Sequence, residues 1–222
     1  MIVKKSAFNE YLNLLTDKLK IEEKEEPTYS WTISQLRHIF DKTENAWVKN
    51  LKNYKSEIKY LLICEAPPWS MTNPKYFYLQ PQGQLFDTVW KTFFNSQKRN
   101  TPYKCLAKVG FLLIDSLPFS INYKTKHRKS DDYFKLIKAC LPWWINKLNN
   151  SGLTFSKDME IALGYYWNGK QVINASGGNL TIYDNKYNIY SCKIISHKGS
   201  RYLPDEKQLK EVFKITKPFN CP

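Results

Sequence analysis

The stretch Lys59–Tyr78, KYLLICEAPPWSMTNPKYFY, limits what this chain can fold into more than any other. Tyr60-Leu61-Leu62-Ile63-Cys64 is a short apolar run without helical spacing, the pattern of a buried parallel strand. The run stops at Glu65-Ala66-Pro67-Pro68. Proline brings no N–H to a ladder and turns the residue before it away from helix, so the strand ends there. Glu65 is thereby held at the carboxyl end of a buried strand, the edge at which open α/β sheets bind ligands. Trp69 and Tyr76-Phe77-Tyr78 follow. A fixed carboxylate beside flat rings suits a pocket for a flat ligand with a polar edge, such as a base.

A second run repeats the pattern. Phe111-Leu112-Leu113-Ile114 ends at Asp115-Ser116-Leu117-Pro118, again apolar residues, a carboxylate and then proline. Parallel pairing of the two strands would put Glu65 and Asp115 on one rim. A third strand is expected over Glu160–Leu163, stopped by Gly164, and a last one over Tyr190–Ser196, stopped at His197-Lys198-Gly199-Ser200-Arg201. Apolar spacing and caps predict helices over residues 6–20, Ile33–Lys55, Leu85–Asn95, Tyr133–Leu148 and Asp205 to about Lys214. Gln97–Lys108 reads as a polar, basic connection and Asn174–Asn179 as a flexible loop. Asp184-Asn185 is a turn signal, which predicts a hairpin or an irregular excursion over Thr181–Tyr190. The order βαβαβ…βα predicts an α/β class, a three-layer α/β/α sandwich on a mostly parallel four-stranded central sheet. The 222 residues are read as one domain. Residues 1–56 form a helical segment packed on the core, and residues 57–222 form the α/β/α core.

Composition narrows the partners. Net charge is +14, and the acidic segment Ile21–Glu26 (four Glu and one Lys) carries −3 of it, so the rest of the chain carries +17. A field of that sign favours polyanions, DNA or RNA first. Lysine-rich composition from an A·T-rich genome is the plain alternative. The 15% aromatic content includes 7 Trp, and rings not needed in the core can stack on bases. No apolar run spans a membrane, and the first residues read as an ordinary helix, so no membrane partner is expected. The five cysteines are scattered and odd in number, which argues against a zinc site, an iron–sulfur cluster or a disulfide framework. A reducing cytoplasm fits best. No Gly-rich phosphate motif is present, so neither cofactor nor metal is expected, and the chain is read as a monomer.

Three strand-end signatures in this order, Cys64–Pro68, Leu112–Pro118 and Ser196–Arg201, resemble the uracil-DNA glycosylase superfamily over roughly residues 59–203. The resemblance implies the α/β/α sandwich and an activity on the N-glycosidic bond of a flipped, modified base. It implies that Glu65 holds the attacking water and that His197 stabilises charge on the departing base. It puts Phe77 or Tyr78 against the base and Asp115 at the base's edge. Ser200 and Arg201 would lie near phosphates, with Lys198 beside them. This sequence departs from the family's pattern at Cys64, where Gly is usual, and at Asp115, where Asn is usual.

Each residue also has a plainer reading. Glu65 can cap local backbone N–H groups, His197 can be a loop histidine, and Tyr76-Phe77-Tyr78 can be core. Asp115 can cap a turn. As an ionised carboxylate it only accepts hydrogen bonds, so it suits an edge rich in donors unless it is protonated. Lys124, Lys126, Arg128 and Lys129 are nucleic-acid contacts or a solvated loop. Three functions follow: a DNA glycosylase, a non-catalytic nucleic-acid-binding protein that keeps the fold, or an enzyme on a small nucleotide-like molecule. Residue types alone leave open whether the chain is an enzyme.

Overall fold

Three parallel strands form the centre of the protein, in the order β2-β1-β3. They are β1 (Ile58–Cys64), β2 (Phe111–Asp115) and β3 (Phe155–Leu163). The computed structural model describes residues 33–68, 76–95, 99–118, 128–183, 189–193 and 204–221. The helix expected over residues 6–20 lies outside them.

The apolar runs became the buried strands. Leu61–Cys64 and all five residues of β2 are buried. Burial on both faces is what a run without alternation requires. The parallel register pairs Cys64 with Asp115 and Ile63 with Leu163, so all three strands end at one level. β3 starts five residues before its expected start at Glu160. Phe155 and Met159 are buried there, but Ser156, Lys157 and Asp158 between them break the apolar run that would have marked the strand.

The helices are α1 (Ile33–Leu51), α2 (Gln84–Phe94), α3 (Pro102–Lys108), α4 (Asp131–Asn149), α5 (Tyr166–Ser176) and α6 (Glu206–Val212). α1 buries Leu36, Ile39, Phe40, Ala46 and Trp47. α2 and α6 pack together, and Phe93 and Phe213 meet the rings of Tyr60 and Phe111. α4 packs on α5. Ser130 caps α4 by accepting from the Tyr133 N–H, and Asp205 caps α6 in a capping box with Gln208.

Two helices were not legible. α3 lies in the connection read as polar, yet it buries Cys105, Leu106 and Ala107 behind Pro102 at its start. α5 contains Asn168, Gly169 and Asn174, all weak helix formers; of the loop read at 174–179, residues 174–176 are its last turn and Gly177-Gly178 the turn into the next strand. Packing holds it: a Cβ on Gly169 would press into the Leu163 side chain. Gly177 then ends the helix in the left-handed conformation, at φ 66°.

β4 (Asn179–Tyr183) and β5 (Ile189–Lys193) form the expected hairpin, antiparallel, with Tyr183 opposite Ile189. β5 is the last expected strand; its hydrogen-bonded partner among the described residues is β4, and it also lies near β3.

β2 is an edge strand of the three, and side chains occupy its open edge. The Trp47 indole N–H donates to the Leu113 carbonyl at 3.1 Å, and the Tyr54 hydroxyl donates to the Phe111 carbonyl at 2.6 Å. The Leu113 N–H donates to the Tyr78 hydroxyl at 2.7 Å. These groups take the bonds a further strand would take and close the edge to another chain. They also tie α1 to the sheet.

The cysteine reading is corrected at one pair. Cys105 of α3 and Cys221 form a disulfide, with Cα atoms 5.5 Å apart and a sequence separation of 116. Spacing along the chain carries no trace of it, because the fold alone brings the C-terminal segment to α3. Cys64 and Cys140 are both buried. No helix among the described residues is long and apolar enough to cross a membrane.

Gly110 stands just before β2 at φ +80°, and its carbonyl accepts from the N–H groups of Lys59 and Tyr60. A Cβ there would run into the Glu57 carbonyl oxygen and the backbone of Lys59. Gly110→Ala is therefore expected to destabilise the fold by about 2–4 kcal/mol, from left-handed strain plus overpacking. Urea unfolding midpoints measure it; a loss below about 0.5 kcal/mol would show that the β1–β2 start yields easily.

Candidate functional site at the carboxyl edge of the sheet

The three strand ends are fastened together beyond the strands themselves. Ser116 N–H donates to the Cys64 carbonyl, Leu117 N–H to the Glu65 carbonyl, and Gly164 N–H to the Ile63 carbonyl. Gly164 has no room for a Cβ, which would meet the Cys64 sulfur. A cavity of about 540 Å³ opens over this edge. Glu65, Tyr76, Phe77, Phe86, Asp115 and Tyr165 are among its lining residues. Its size is within the range of small-molecule sites, and its position matches the ligand-binding edge of open α/β sheets.

Glu65 is embedded in a network. Arg128 donates to both of its carboxylate oxygens, each at 2.6 Å, and the Tyr133 hydroxyl donates to Oε1 at 2.5 Å. The two side chains are only 14% and 12% exposed, Glu65 and Arg128 respectively. Burial works against the Arg128 charge, but the bonds and charge of Glu65 outweigh it and hold the guanidinium protonated. Arg128 also lies 4.3 Å over the Tyr165 ring. Behind Tyr133, the buried Asn168 amide donates to the Tyr133 hydroxyl and to Ser116 Oγ, each at 3.0 Å. Ser116 Oγ donates to the Glu65 carbonyl at 3.1 Å. The network joins the ends of β1 and β2 to α4 and α5.

Asp115 is different. It is the last residue of β2, 5% exposed, and lines the cavity. No described residue hydrogen-bonds its carboxyl group. Burial pushes its pKa up to about 7; Lys147 opposes the rise, and Glu44 and Glu65 add to it. Lys147 is itself buried, ion-paired to Glu44, and stands 4.4 Å from the Trp47 ring and 5.2 Å from that of Trp143. Neighbouring Cys64 is pushed well up by burial first, then by Asp115 and Glu65.

The structure thus brings Glu65, Phe77 and Asp115 to one cavity. Tyr78 is buried with its hydroxyl on β2. Arg128, expected on phosphates, turns inward to Glu65. His197, Lys124, Lys126, Lys198, Ser200 and Arg201 lie outside the described residues. Sequence reading missed Tyr133, Asn168, Ser116, Tyr165 and Gln80, Gln82 and Gln84 of the rim. Tyr133 and Asn168 sit in helices among core residues, and nothing local marks them. Among the described residues no group of three His, Cys, Asp or Glu side chains could hold a metal ion.

These features define an α/β protein with a cavity at the carboxyl edge of its parallel strands. No protein-family model matches the chain, and no curated protein or solved structure is significantly similar to it.

Proposed function

We propose that this protein is a DNA-glycosylase-like protein, similar to the uracil-DNA glycosylase superfamily, that binds nucleic acid and takes a flipped base into the cavity over β1–β3. In this reading the fold is an α/β/α sandwich with a fourth central strand contributed by the segment around β5. The observation that carries the proposal is Asp115. An unpartnered, buried carboxyl group beside aromatic walls is suited to a flat ligand whose edge completes its hydrogen bonds. Extruding a base into such a cavity is how enzymes reach it.

The reaction is hydrolysis of the N-glycosidic bond. Water oxygen bonds to C1′, the C1′–N bond breaks, and its electron pair leaves with the base, which takes up a proton. The products are an abasic site and a free base. In this reading Glu65 stabilises the oxocarbenium-like state and orients the water, a role supported by its place on the cavity wall. His197 is the residue assigned to the departing base.

A second reading has a specific observation behind it. Arg128 and Tyr133 already occupy three acceptor positions of Glu65. A carboxylate so occupied has little left with which to hold a water, which favours a non-catalytic nucleic-acid-binding protein that keeps the fold.

Duplexes and single strands, each carrying one modified base and scored for abasic sites, separate the two. Base release supports the enzyme. Binding without release on every substrate supports the binding protein. In either case affinity should drop by about 10³ or more between 50 and 200 mM salt if some six phosphates are neutralised. Salt-independent binding, or none at low salt, would remove the nucleic-acid reading.

A further inference from the structure

A second cavity, about 570 Å³ and open to solvent, lies on the other side of the Tyr76–Gln80 segment. Its wall is the polar stripe of α1: Lys42, Asn45 and Lys49, continued by Asn53 just past the helix. The spacing of three, four and four puts these residues on one face, opposite the face that buries Phe40 and Trp47. Lys42 and Lys49 are two turns apart, roughly 10 Å along the axis. No acidic residue lines the trough. Tyr78 and Tyr103 close its floor, with hydroxyls already bonded to backbone. The side chains of Lys42, Asn45 and Lys49 make no ion pair or hydrogen bond with another described residue.

The ridge between the two cavities is a tight turn, in which the Leu79 and Gln80 N–H groups donate to the Tyr76 carbonyl. Gln80 lines both cavities. Leu79 is 40% exposed on the crest, an unusual place for a large apolar side chain. A base entering the first cavity belongs to a polymer, and the rest of that polymer must cross the rim. The trough offers two free cations, a free amide and no anion on the far side of the ridge.

We infer that the α1 trough holds the phosphate backbone of the strand whose base occupies the first cavity, with Leu79 against a sugar or base edge where the strand crosses. The inference rests on the nucleic-acid reading above. It assigns strand binding to the helical segment before residue 57.

Fluorescence anisotropy with a single-stranded oligonucleotide tests it, across a salt series, on wild type and the Lys42→Gln/Lys49→Gln double variant. A control variant, Lys108→Gln/Lys138→Gln, removes the same charge at exposed sites outside the trough. The trough variant should bind at least about tenfold more weakly at low salt. Its slope of log affinity against log salt should be shallower by about 1.4, or about 0.7 per lost phosphate contact. The control should keep the wild-type slope, and all three should melt alike. Equal slopes in the two variants would overturn the trough while leaving nucleic-acid binding in place. No oligonucleotide binding by wild type would overturn the nucleic-acid reading itself. Poly-glutamate binding as tightly as the oligonucleotide, and lost in the trough variant, would make this an acidic-peptide site and overturn the assignment.

Discussion

Asp115→Asn is expected to be more stable than wild type at pH 8, by about 2–4 kcal/mol, and to differ from it by less than about 1 kcal/mol at pH 4. The reason is the environment at the end of β2. Burial, with Glu44 and Glu65 adding to it and Lys147 opposing, pushes the carboxyl up to about 7. In the unfolded chain it titrates near an ordinary value of about 4. Between those pH values the folded protein keeps a proton that the unfolded chain has released. The stability contributed by the neutral acid is therefore complete below about pH 4 and is lost as pH rises to about 7. At about 1.36 kcal/mol per pH unit the whole loss is on the order of 4 kcal/mol. Asparagine cannot ionise and escapes it. Urea unfolding at pH 4, 6 and 8 measures the difference; parallel pH profiles for the two proteins would show that Asp115 does not titrate in this range.

The same proton governs what the cavity can read. A neutral carboxyl presents a donor beside an acceptor, whereas a carboxylate only accepts. On the proposed function, wild type should lose activity on a base with an O4 acceptor and N3–H donor as pH passes about 7. Asp115→Asn should keep that activity. The preference shift toward such a base should be about tenfold or more at pH 8, the worth of one well-placed base contact, and smaller at pH 6. A preference that is unchanged at both pH values removes Asp115 as the base reader.

Arg128→Met is expected to cost about 3–5 kcal/mol, because it strands the Glu65 carboxylate in a site that is 14% exposed, with Tyr133 as its one remaining hydrogen-bond donor among the described residues. Glu65→Gln should cost about 2–4 kcal/mol for the converse reason: the Arg128 guanidinium under Tyr165 loses its two bonds to a carboxylate. The double variant should be less destabilised than the sum of the two by about 2 kcal/mol or more, since neither charge is then left alone. Urea unfolding of all four proteins closes the cycle. Additive losses would mean that the pair holds nothing together. The cycle also decides how a loss of base release is read. Glu65→Gln removes a charge at the cavity and weakens the clamp between β1, α4 and α5. Only release measured well below the unfolding transition of each variant isolates the chemistry.

The strand ends were legible because the signals are local. An apolar run, a carboxylate and a proline lie within ten residues at Tyr60–Pro68 and again at Phe111–Pro118. Parallel pairing then needed only that both runs be buried, and Cys64 stands opposite Asp115 as that requires. The helix starts near Tyr133 and Asp205 and the turn between β4 and β5 were legible for the same reason. α5 was not, because Gly169 and its asparagines oppose helix and only packing on Leu163 overrules them.

The site divides along the same line. Sequence alone determined that two carboxylates stand at the carboxyl ends of buried strands, since chain stiffness at proline and the need to bury apolar runs act over a few residues. Tertiary structure decided what each carboxylate is. Glu65 meets Arg128 and Tyr133 from 63 and 68 residues away and becomes half of a clamped ion pair. Asp115 meets no donor among the described residues and lines the cavity, where burial favours its neutral form. Two acids with nearly the same local sequence thus differ because the free energy of a charge depends on the groups and the water around it, and those are set by parts of the chain far away in sequence.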